Sequence, residues 1–302
     1  MRKKEITSVV DTIAGRSVPG GGFSEYSGTP FRADATALAT LALRADSSNL
    51  RLLESARSRL ASEQLADGRV CLAKDQPRTC WPTALAILAW YGSSIHRQYQ
   101  DLAIHFLLKT KGHSSAKKGG AITNLDFSLV GWPWIEETFS WVEPTAMSMM
   151  ALRLSGYGVH ERVQEAVRLL MDRQLPHGGW NIGSTIIYGR ETYPQTENTG
   201  MALAALSGQV DRKEIERSLD YLKSQVISSR TPLSLGWALF GLGAWGERPT
   251  EAKRWLFDCL SRQKKYGTYG TTLLSLILLV YGAKGGFLEE ISQGFKENDS
   301  RR

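Results

Sequence analysis

Three acidic residues occupy the same place in a repeated pattern, and their carboxyl groups are the side chains best suited to proton transfer. Asp34, Glu143 and Glu197 each stand two residues before a threonine, and an apolar run follows each threonine. If these runs are helices that begin at one rim of a barrel, the three carboxyl groups converge on one mouth. Interaction between them then raises one of their pKa values. The sequence therefore predicts a carboxylic acid that could donate a proton near neutral pH.

A second interpretation of these acids requires no chemistry. A carboxylate close to a helix N-terminus is stabilised by the helix dipole, and Asp34 and Glu143 fit that role well. Glu197 stands in a more polar setting, between Tyr193 and Asn198, which favours Glu197 as the proton donor. Both interpretations stay open for all three acids.

Aromatic residues are concentrated between residues 131 and 141. Aromatic faces attract cations and provide a large apolar surface, so we expect this segment to contact a substrate, with a packed loop at the barrel end as the alternative. The substrate-binding candidates are Trp81, Trp132, Trp134, Trp141 and Tyr193. Arg190 and Arg32, near the starts of inner helices, could hold a diphosphate through bidentate hydrogen bonds.

A repeated pair of helices must position these side chains. Runs such as 84–90 and 272–281 are apolar on every face, which is typical of buried helices. The segments between the runs have apolar residues at helical spacing and charged opposite faces; they are 50–64, 97–109, 161–174, 212–225 and 251–263. Six such pairs predict an all-α fold, a single α6/α6 toroid of six inner and six outer helices. The sixth outer helix is either 4–14 or 288–296.

The uniformity of the repeat bears on domain organisation. No linker or change of composition interrupts it, so we expect one domain over residues 1–302, with repeats from about 18 to 282 and peripheral termini. No stretch has the pattern of a pair of β-strands. The two longest irregular segments, 112–141 and 181–195, are the candidate functional loops.

A second motif, Leu-x3-Gln-x3-Gly-x-aromatic, is complete at residues 170–180 and partial at 60–70 and 263–269. A glutamine at the end of an outer helix can hydrogen-bond backbone groups that the helix end leaves unpaired, while the tryptophan packs on the turn. That role is structural. We assign it to Gln64, Gln174, Gln263 and Trp180.

Composition limits the classes of partner and compartment. The net charge of +7 is spread along the outer helices and no nucleic-acid motif accompanies it, so we expect no nucleic acid, with weak attraction to an anionic membrane as the alternative. Three cysteines without a Cys-x-x-Cys pair indicate a reducing compartment.

The longest apolar run, 271–283, is too short to span a bilayer, and the N-terminus lacks the apolar core of a signal peptide. We expect a cytoplasmic protein, with peripheral contact to the inner membrane face as an alternative; the oligomeric state is left open.

These motifs resemble a known group. The Gln-x3-Gly-x-Trp element resembles the QW repeats of squalene–hopene and oxidosqualene cyclases. The Thr-Ala-x4-Ala-Leu runs are similar to inner helices of the wider terpenoid cyclase and protein prenyltransferase toroid superfamily, over residues 18 to 282. The resemblance implies a central apolar cavity for a linear isoprenoid or another apolar small molecule. For the cyclases, it also implies that a carboxylic acid protonates an alkene or epoxide.

The chain departs from the motif of the cyclases. In squalene cyclases the proton donor stands in Asp-x-Asp-Asp-Thr-Ala, and its position is occupied here by Asp34, Glu143 and Glu197. The two companion acids are missing: the residues at their positions are Arg32, Ala35, Trp141, Pro144, Gln195 and Asn198. The Asp, Cys and His set that binds zinc in the prenyltransferases is also absent, so we expect no metal and no cofactor.

Three functions therefore stay open. The first is a terpene cyclase-like protein that binds or cyclises a linear isoprenoid. The second is a toroid that binds an isoprenoid or other lipid without catalysis. The third is a carbohydrate-active α/α barrel, which would need two carboxyl groups about 5 to 9.5 Å apart across a cleft. A cavity lined mainly by aliphatic side chains would argue against the third.

Overall fold

The computed structural model describes residues 2–115 and 125–299, so part of the candidate loop at 112–141 lies outside the described residues. The α-helices are α1 (Arg2–Ala14), α2 (Ala33–Leu43), α3 (Leu50–Ser62), α4 (Pro82–Trp90), α5 (Arg97–Lys109), α6 (Val142–Leu152), α7 (Glu161–Asp172), α8 (Thr196–Leu206), α9 (Arg212–Val226), α10 (Pro232–Ala244), α11 (Ala252–Ser261), α12 (Gln263–Tyr266), α13 (Thr271–Gly282) and α14 (Phe287–Asp299). A 3₁₀ turn spans Ser47–Asn49 and a π-helical turn spans Arg153–Tyr157.

Six helices form a closed inner ring. Helices α2, α4, α6, α8, α10 and α13 contact one another in this order, and α13 returns to α2. All nine residues of α4 are buried, as expected for a helix that is apolar on every face. The outer helices bury one stripe only: in α7 that stripe includes Val163, Ala166 and Leu170. The all-α toroid predicted from the repeats is therefore confirmed.

The two candidates for the sixth outer helix have different places. Val9 and Ile13 of α1 pack with Leu53 of α3 and Leu274 of α13, so α1 completes the outer ring. Helix α14 contacts α10 and α13 instead. Its Glu290 pairs with Arg44, the residue that follows α2, at 3.6 Å. Helix α14 therefore covers the end of the barrel at which the inner helices finish.

The threonine of the repeat forms the same hydrogen bond in four copies. Its hydroxyl oxygen accepts the backbone N–H of the residue at the aromatic place of the preceding turn, at 2.8 to 3.0 Å. The pairs are Thr36 with Phe23, Thr83 with Val70, Thr145 with Trp132, and Thr199 with Trp180. This bond joins each Gly-rich turn to the start of the next inner helix.

The repeated glutamine connects successive outer helices. Gln174 donates to Ser218 Oγ at 2.8 Å and to the carbonyl of Glu214 at 3.2 Å, both in α9. Gln64 donates to the carbonyl of Tyr99 in α5 at 2.9 Å. Both carbonyls belong to the third residue of the next outer helix, so the motif sets the spacing of the outer ring.

Helices α8 and α10 approach each other through glycine. A Cβ atom at Gly200 would lie 2.2 Å from the backbone oxygen of Trp237, and one at Gly241 would lie 2.7 Å from the oxygen of Gly200. Only glycine permits this backbone approach. The inner ring is therefore narrowed on the side where α8 and α10 meet.

The expectation that no strands pair is wrong at one place. β1 (Ile186–Ile187) and β2 (Arg190–Glu191) form an antiparallel hairpin. Tyr188 and Gly189 join them with φ values of 49° and 72°, as a tight two-residue hairpin turn requires. Strands of two residues are too short for an alternating pattern to show in the sequence.

Among the described residues, no single helix is both long and apolar enough to cross a membrane. Thr271–Gly282 and Phe287–Gln293 reach the required length and composition only when taken together, and the chain bends by 79° between them.

Candidate functional site

All six inner helices contribute to one cavity, at the end where they begin. The cavity measures about 170 Å³, and most lining positions fall at the start of a helix or one turn later. The lining residues are Asp34 and Leu38 of α2, Trp81 and Leu85 at α4, Glu143 and Met147 of α6, Met201 of α8, Leu233 and Trp237 of α10, and Thr272, Leu273 and Leu276 of α13. The equal register of the repeats therefore brings their first turns to one mouth, as the sequence predicted.

The cavity is apolar below its mouth. Aliphatic and Met side chains make up most of its wall. Trp237 is 4% exposed and packs against Phe287 of α14, with ring centroids 5.2 Å apart. Phe240 packs on both rings. Trp237 therefore closes the cavity toward α14, and Phe240 and Phe287 support its ring from behind.

Glu143 is a half-buried carboxyl group at this mouth. It is the second residue of α6. Burial raises the pKa of Glu143, the neighbouring charge of Glu197 raises it further, and a hydrogen bond with the side chain of Trp134 opposes the rise. Because the indole N–H can only donate, this bond stabilises the carboxylate form. The pKa of Glu143 is therefore raised overall, while the indole N–H of Trp134 can donate a hydrogen bond to the Glu143 carboxylate.

Glu197 lies beside Glu143 on the neighbouring inner helix. It is the second residue of α8, one turn before the cavity residue Met201. Its Oε2 accepts a hydrogen bond from Ser234 Oγ of α10 at 2.8 Å. The Ser234 contact therefore ties the Glu197 carboxyl group to the first turn of α10 and fixes its orientation at the mouth.

Asp34 has a different environment across the mouth. Arg32 donates Nε to Asp34 Oδ1 at 3.0 Å and Nη2 to Oδ2 at 2.5 Å. A bidentate guanidinium contact of this kind is a strong charge-assisted pair. Both carboxylate oxygens of Asp34 are therefore held by the guanidinium group of Arg32.

Glu25 is a fourth carboxyl group near the mouth, and the sequence did not identify it. Its Oε1 accepts from Thr272 Oγ1 at 2.7 Å and its Oε2 from the Thr272 backbone at 3.3 Å. Burial raises the pKa of Glu25, the Thr272 bonds lower it, and Asp34 raises it. Glu25 lies before α2 in the chain but contacts Thr272 of α13, so the closure of the ring brings these two residues together. The sequence contains one indication of this contact: the repeat at α13 has no acidic residue of its own before the inner helix.

The predicted aromatic contacts fall into separate groups. Trp81 lines the cavity. Trp134 and Trp141 stack with centroids 5.5 Å apart and planes at 23°. Trp141 also lines a second groove of about 320 Å³, with Phe139 and Tyr188. The stacked pair therefore lies between the Glu143 carboxyl group and this groove.

Three predicted contacts are placed away from the cavity. Trp132 is 1% exposed, and its indole donates to the carbonyl of Leu107 at 2.9 Å; it fills the aromatic place of its repeat, as Trp180 does. Tyr193 is 88% exposed and Arg190 is an exposed residue of β2. None of these three lines the cavity. Arg32 is the arginine that the fold places at the mouth.

Across residues 2–115 and 125–299, no three His, Cys, Asp and Glu side chains form a group that could hold a metal ion. Cys71, Cys80 and Cys259 are buried and free. The chemistry available at the mouth is therefore that of carboxyl groups, one guanidinium and aromatic rings.

Comparison with known proteins defines the fold. No protein-family model matches the chain, and no curated protein matches its sequence. Solved structures do match over nearly the whole length. The type II terpene cyclase MstE from Scytonema, in complex with geranylgeranyl dihydroxybenzoate, has a TM-score of 0.60 at 11% identity, covering 97% of this chain and 98% of its own.

Carbohydrate-active proteins match equally well. The GH76 α-mannanase from Bacteroides thetaiotaomicron has a TM-score of 0.62 at 10% identity, covering 100% of this chain and 98% of its own. The GH76A α-1,6-mannanase from Salegentibacter has a TM-score of 0.59 at 14% identity, covering 93% and 98%. At these identities the likeness shows a shared α/α toroid fold, which hosts unrelated activities. The chain is thus similar in fold to both the terpene cyclase and the mannanases.

Proposed function

We propose that this protein is a terpene cyclase-like toroid that binds a linear isoprenoid in its central cavity and protonates it from Glu143. The observation that carries the proposal is a carboxyl group of raised pKa at the mouth of an aliphatic cavity. The sequence favoured Glu197 as the donor. The environments of the two acids favour Glu143, because Glu197 is held by the Ser234 hydroxyl. The QW-like repeats resemble those of the squalene cyclases and support the same class.

The proposed step is proton transfer to an alkene. The carboxyl O–H bond of Glu143 breaks, the alkene π electrons form a new C–H bond, and a carbocation and a carboxylate result. The Trp134 hydrogen bond stabilises that carboxylate. The faces of Trp81 and Trp237, which line the cavity, are available to stabilise the cation. The charge of Glu197 raises the pKa of Glu143, and Asp34 forms another part of the cavity wall.

Cavity size limits how much of a substrate is enclosed. The volume of about 170 Å³ is close to that of a cavity that holds one benzene molecule, roughly 150 Å³. It is below the roughly 300 Å³ at which drug-sized ligand sites begin. The proposed complex therefore places one end of the isoprenoid inside, with the rest near the Trp134–Trp141 stack.

A non-catalytic isoprenoid-binding toroid is the second candidate. The missing companion acids favour it, because Arg32, Trp141 and Gln195 stand where the squalene cyclase motif has its further acid. This candidate shares the cavity and the apolar ligand, and differs only in whether Glu143 transfers its proton.

The carbohydrate-active alternative has equal support from fold likeness, since the mannanases match as well as the terpene cyclase. Its substrate would need hydrogen-bonding groups along the walls of the site. The cavity wall offers mainly Leu, Met and Trp side chains. We therefore rank the carbohydrate-active function last of the three candidates.

Peripheral contact with a membrane is a further part of the proposal. Several large apolar side chains are exposed on the loops that lead into α6 and α8, on the side of the mouth: Ile135, Phe139, Ile182, Ile187, Tyr188 and Tyr193. An exposed group of this kind indicates an interaction surface. We expect the protein to sediment with vesicles that contain phosphatidylserine, and Phe139→Ser with Ile187→Ser to weaken that association. Equal sedimentation of both proteins would contradict membrane contact through these loops.

Product analysis tests the proposed function. The purified protein would be incubated with squalene and with linear polyprenyl diphosphates, and the products separated by gas chromatography with mass spectrometry. We expect a cyclic product that Glu143→Gln abolishes, while Glu216→Gln, on an exposed face of α9, leaves it unchanged. Unchanged substrate together with lipid co-purifying in the cavity would support the binding protein. Hydrolysis of α-mannans with neither result would favour the carbohydrate-active reading.

A further inference from the structure

The charges around the mouth are unevenly distributed. On one side, Glu143 and Glu197 lie close enough for the charge of one to act on the other. Within the described part of the chain, neither forms an ion pair; their polar contacts are with Trp134 and Ser234. On the other side, Asp34 and Glu25 lie near Arg32. Among the described residues, the Glu143–Glu197 side of the mouth therefore presents carboxyl groups without a paired cation to a negatively charged ligand.

The cations near the mouth are already engaged. Arg32 uses both Nε and Nη2 on Asp34. Arg16 is 4% exposed, and its Nη1 donates to the carbonyl of Glu25 at 3.2 Å and to Thr271 Oγ1 at 3.3 Å. A phosphate group could therefore form a bidentate contact with Arg32 Nε and Nη2 only by displacing Asp34, and Arg16 is buried. Arg190, the other candidate for a diphosphate, is exposed on β2 and does not line the cavity.

We propose that the cavity accepts an apolar chain with an uncharged head group, a neutral isoprenoid or its alcohol, and discriminates against diphosphate esters. This inference rests on the proposed function and narrows its substrate class. A diphosphate at the mouth would face the carboxyl groups of Glu143 and Glu197, and a carboxyl group that has lost its proton repels it strongly in a medium of reduced dielectric constant. A hydroxyl group or a terminal alkene meets no such penalty.

Two ligands with the same chain separate the effect of the head group from that of the cavity. Farnesol and farnesyl diphosphate would be titrated against the full-length protein by calorimetry, at about 20 mM and at about 300 mM NaCl. We expect farnesol to bind at least about tenfold more tightly at low salt, with the gap narrowing as salt screens the charges.

Variants identify the source of the discrimination. Replacing both acids, Glu143→Gln with Glu197→Gln, should tighten diphosphate binding by about tenfold and leave farnesol within about twofold. Glu216→Gln, an acid on an outer helix, should change neither affinity. Thermal unfolding of each variant shows that the fold is retained before affinities are compared.

Two outcomes would overturn the inference. One is tighter binding of the diphosphate, lost in Arg32→Gln, which would make Arg32 a phosphate site. The other is binding of neither ligand, which would remove the cavity as an isoprenoid site. The proposed function fails separately if product formation does not depend on Glu143, whatever the affinities for farnesol and farnesyl diphosphate. If the protein prefers the diphosphate and turnover still depends on Glu143, only the inference about the head group is contradicted.

Discussion

Ser234 Oγ donates a hydrogen bond to Glu197 Oε2 at 2.8 Å, and this contact joins the first turns of α10 and α8 at the mouth of the cavity. The bond matters beyond packing because Glu197 also acts on Glu143. One hydroxyl group thereby fixes the position of the acid whose charge raises the pKa of Glu143.

The Glu143–Glu197 interaction predicts the effect of removing one charge. Burial is the main reason for the raised pKa of Glu143, and Glu197 is the second. In Glu197→Gln, we expect the pKa of Glu143 to fall but to stay above the ordinary 4.5, since the burial is unchanged. Carbon-13 NMR of labelled glutamate carboxyl groups would follow the titration, with Glu143→Gln to assign the signal. An unmoved signal would show that the two acids are not coupled.

The same acid predicts a dependence of stability on pH. A carboxyl group whose pKa is raised by folding binds its proton more tightly in the native state than in the unfolded chain. Its contribution to stability is therefore lost as the pH rises from the ordinary value of 4.5 through the raised pKa. We expect Glu143→Gln to gain stability relative to the native sequence as the pH rises above 4.5. Urea unfolding at a series of pH values above 4.5 measures the gain, and parallel curves would contradict the raised pKa.

His96 predicts a dependence of the opposite sign. It is 2% exposed, its Nδ1 and Nε2 lie 2.9 and 3.2 Å from the hydroxyls of Ser93 and Ser58, and burial lowers its pKa below 6.5. The unfolded chain then binds a proton first, so stability falls as the pH drops below 6.5 toward the lowered pKa. His96→Gln should flatten this fall in urea unfolding. His177→Gln, at an exposed histidine, should leave it unchanged.

Trp237 should set the depth of the cavity. It lines the wall and rests on Phe240 and Phe287. Trp237→Leu should destabilise the fold by about 2–3 kcal/mol through lost packing, and the deeper cavity should bind n-alkanols that are several carbons longer. Phe240→Leu is the matched control, because Phe240 is fully buried in the same cluster but does not line the cavity. An equal gain in both variants, measured by calorimetry, would show that general loosening is responsible.

Gln174 tests the structural role of the repeated motif. Its amide donates to Ser218 Oγ, which in turn accepts the backbone N–H of Gly179 at 2.7 Å. Gln174→Ala should therefore cost about 1–2 kcal/mol of unfolding free energy and leave ligand affinity unchanged, since Gln174 is remote from the cavity lining. Altered affinity at unchanged stability would assign the motif a functional role instead.

The sequence by itself determined the helical repeat and the register of the acids. Helices that are apolar all round alternate with amphipathic ones, and that pattern has one compact solution, a double ring. Equal spacing before each inner helix then brings Asp34 and Glu143 to one mouth, because side-chain position along a helix is fixed by its period. Those inferences depend on local periodicity, which the chain displays directly.

Only the tertiary structure decided what surrounds each acid. Arg32 pairs with Asp34, Ser234 bonds Glu197, and Trp134 bonds Glu143, although the three acids look alike in sequence. Glu25 reaches Thr272 only because the ring closes between the first and last repeats. Trp132 and Trp134 are two residues apart, yet one is a buried support and the other contacts an acid. Proton affinity depends on desolvation and on neighbours that are distant in the chain, so spacing alone could not distinguish these roles.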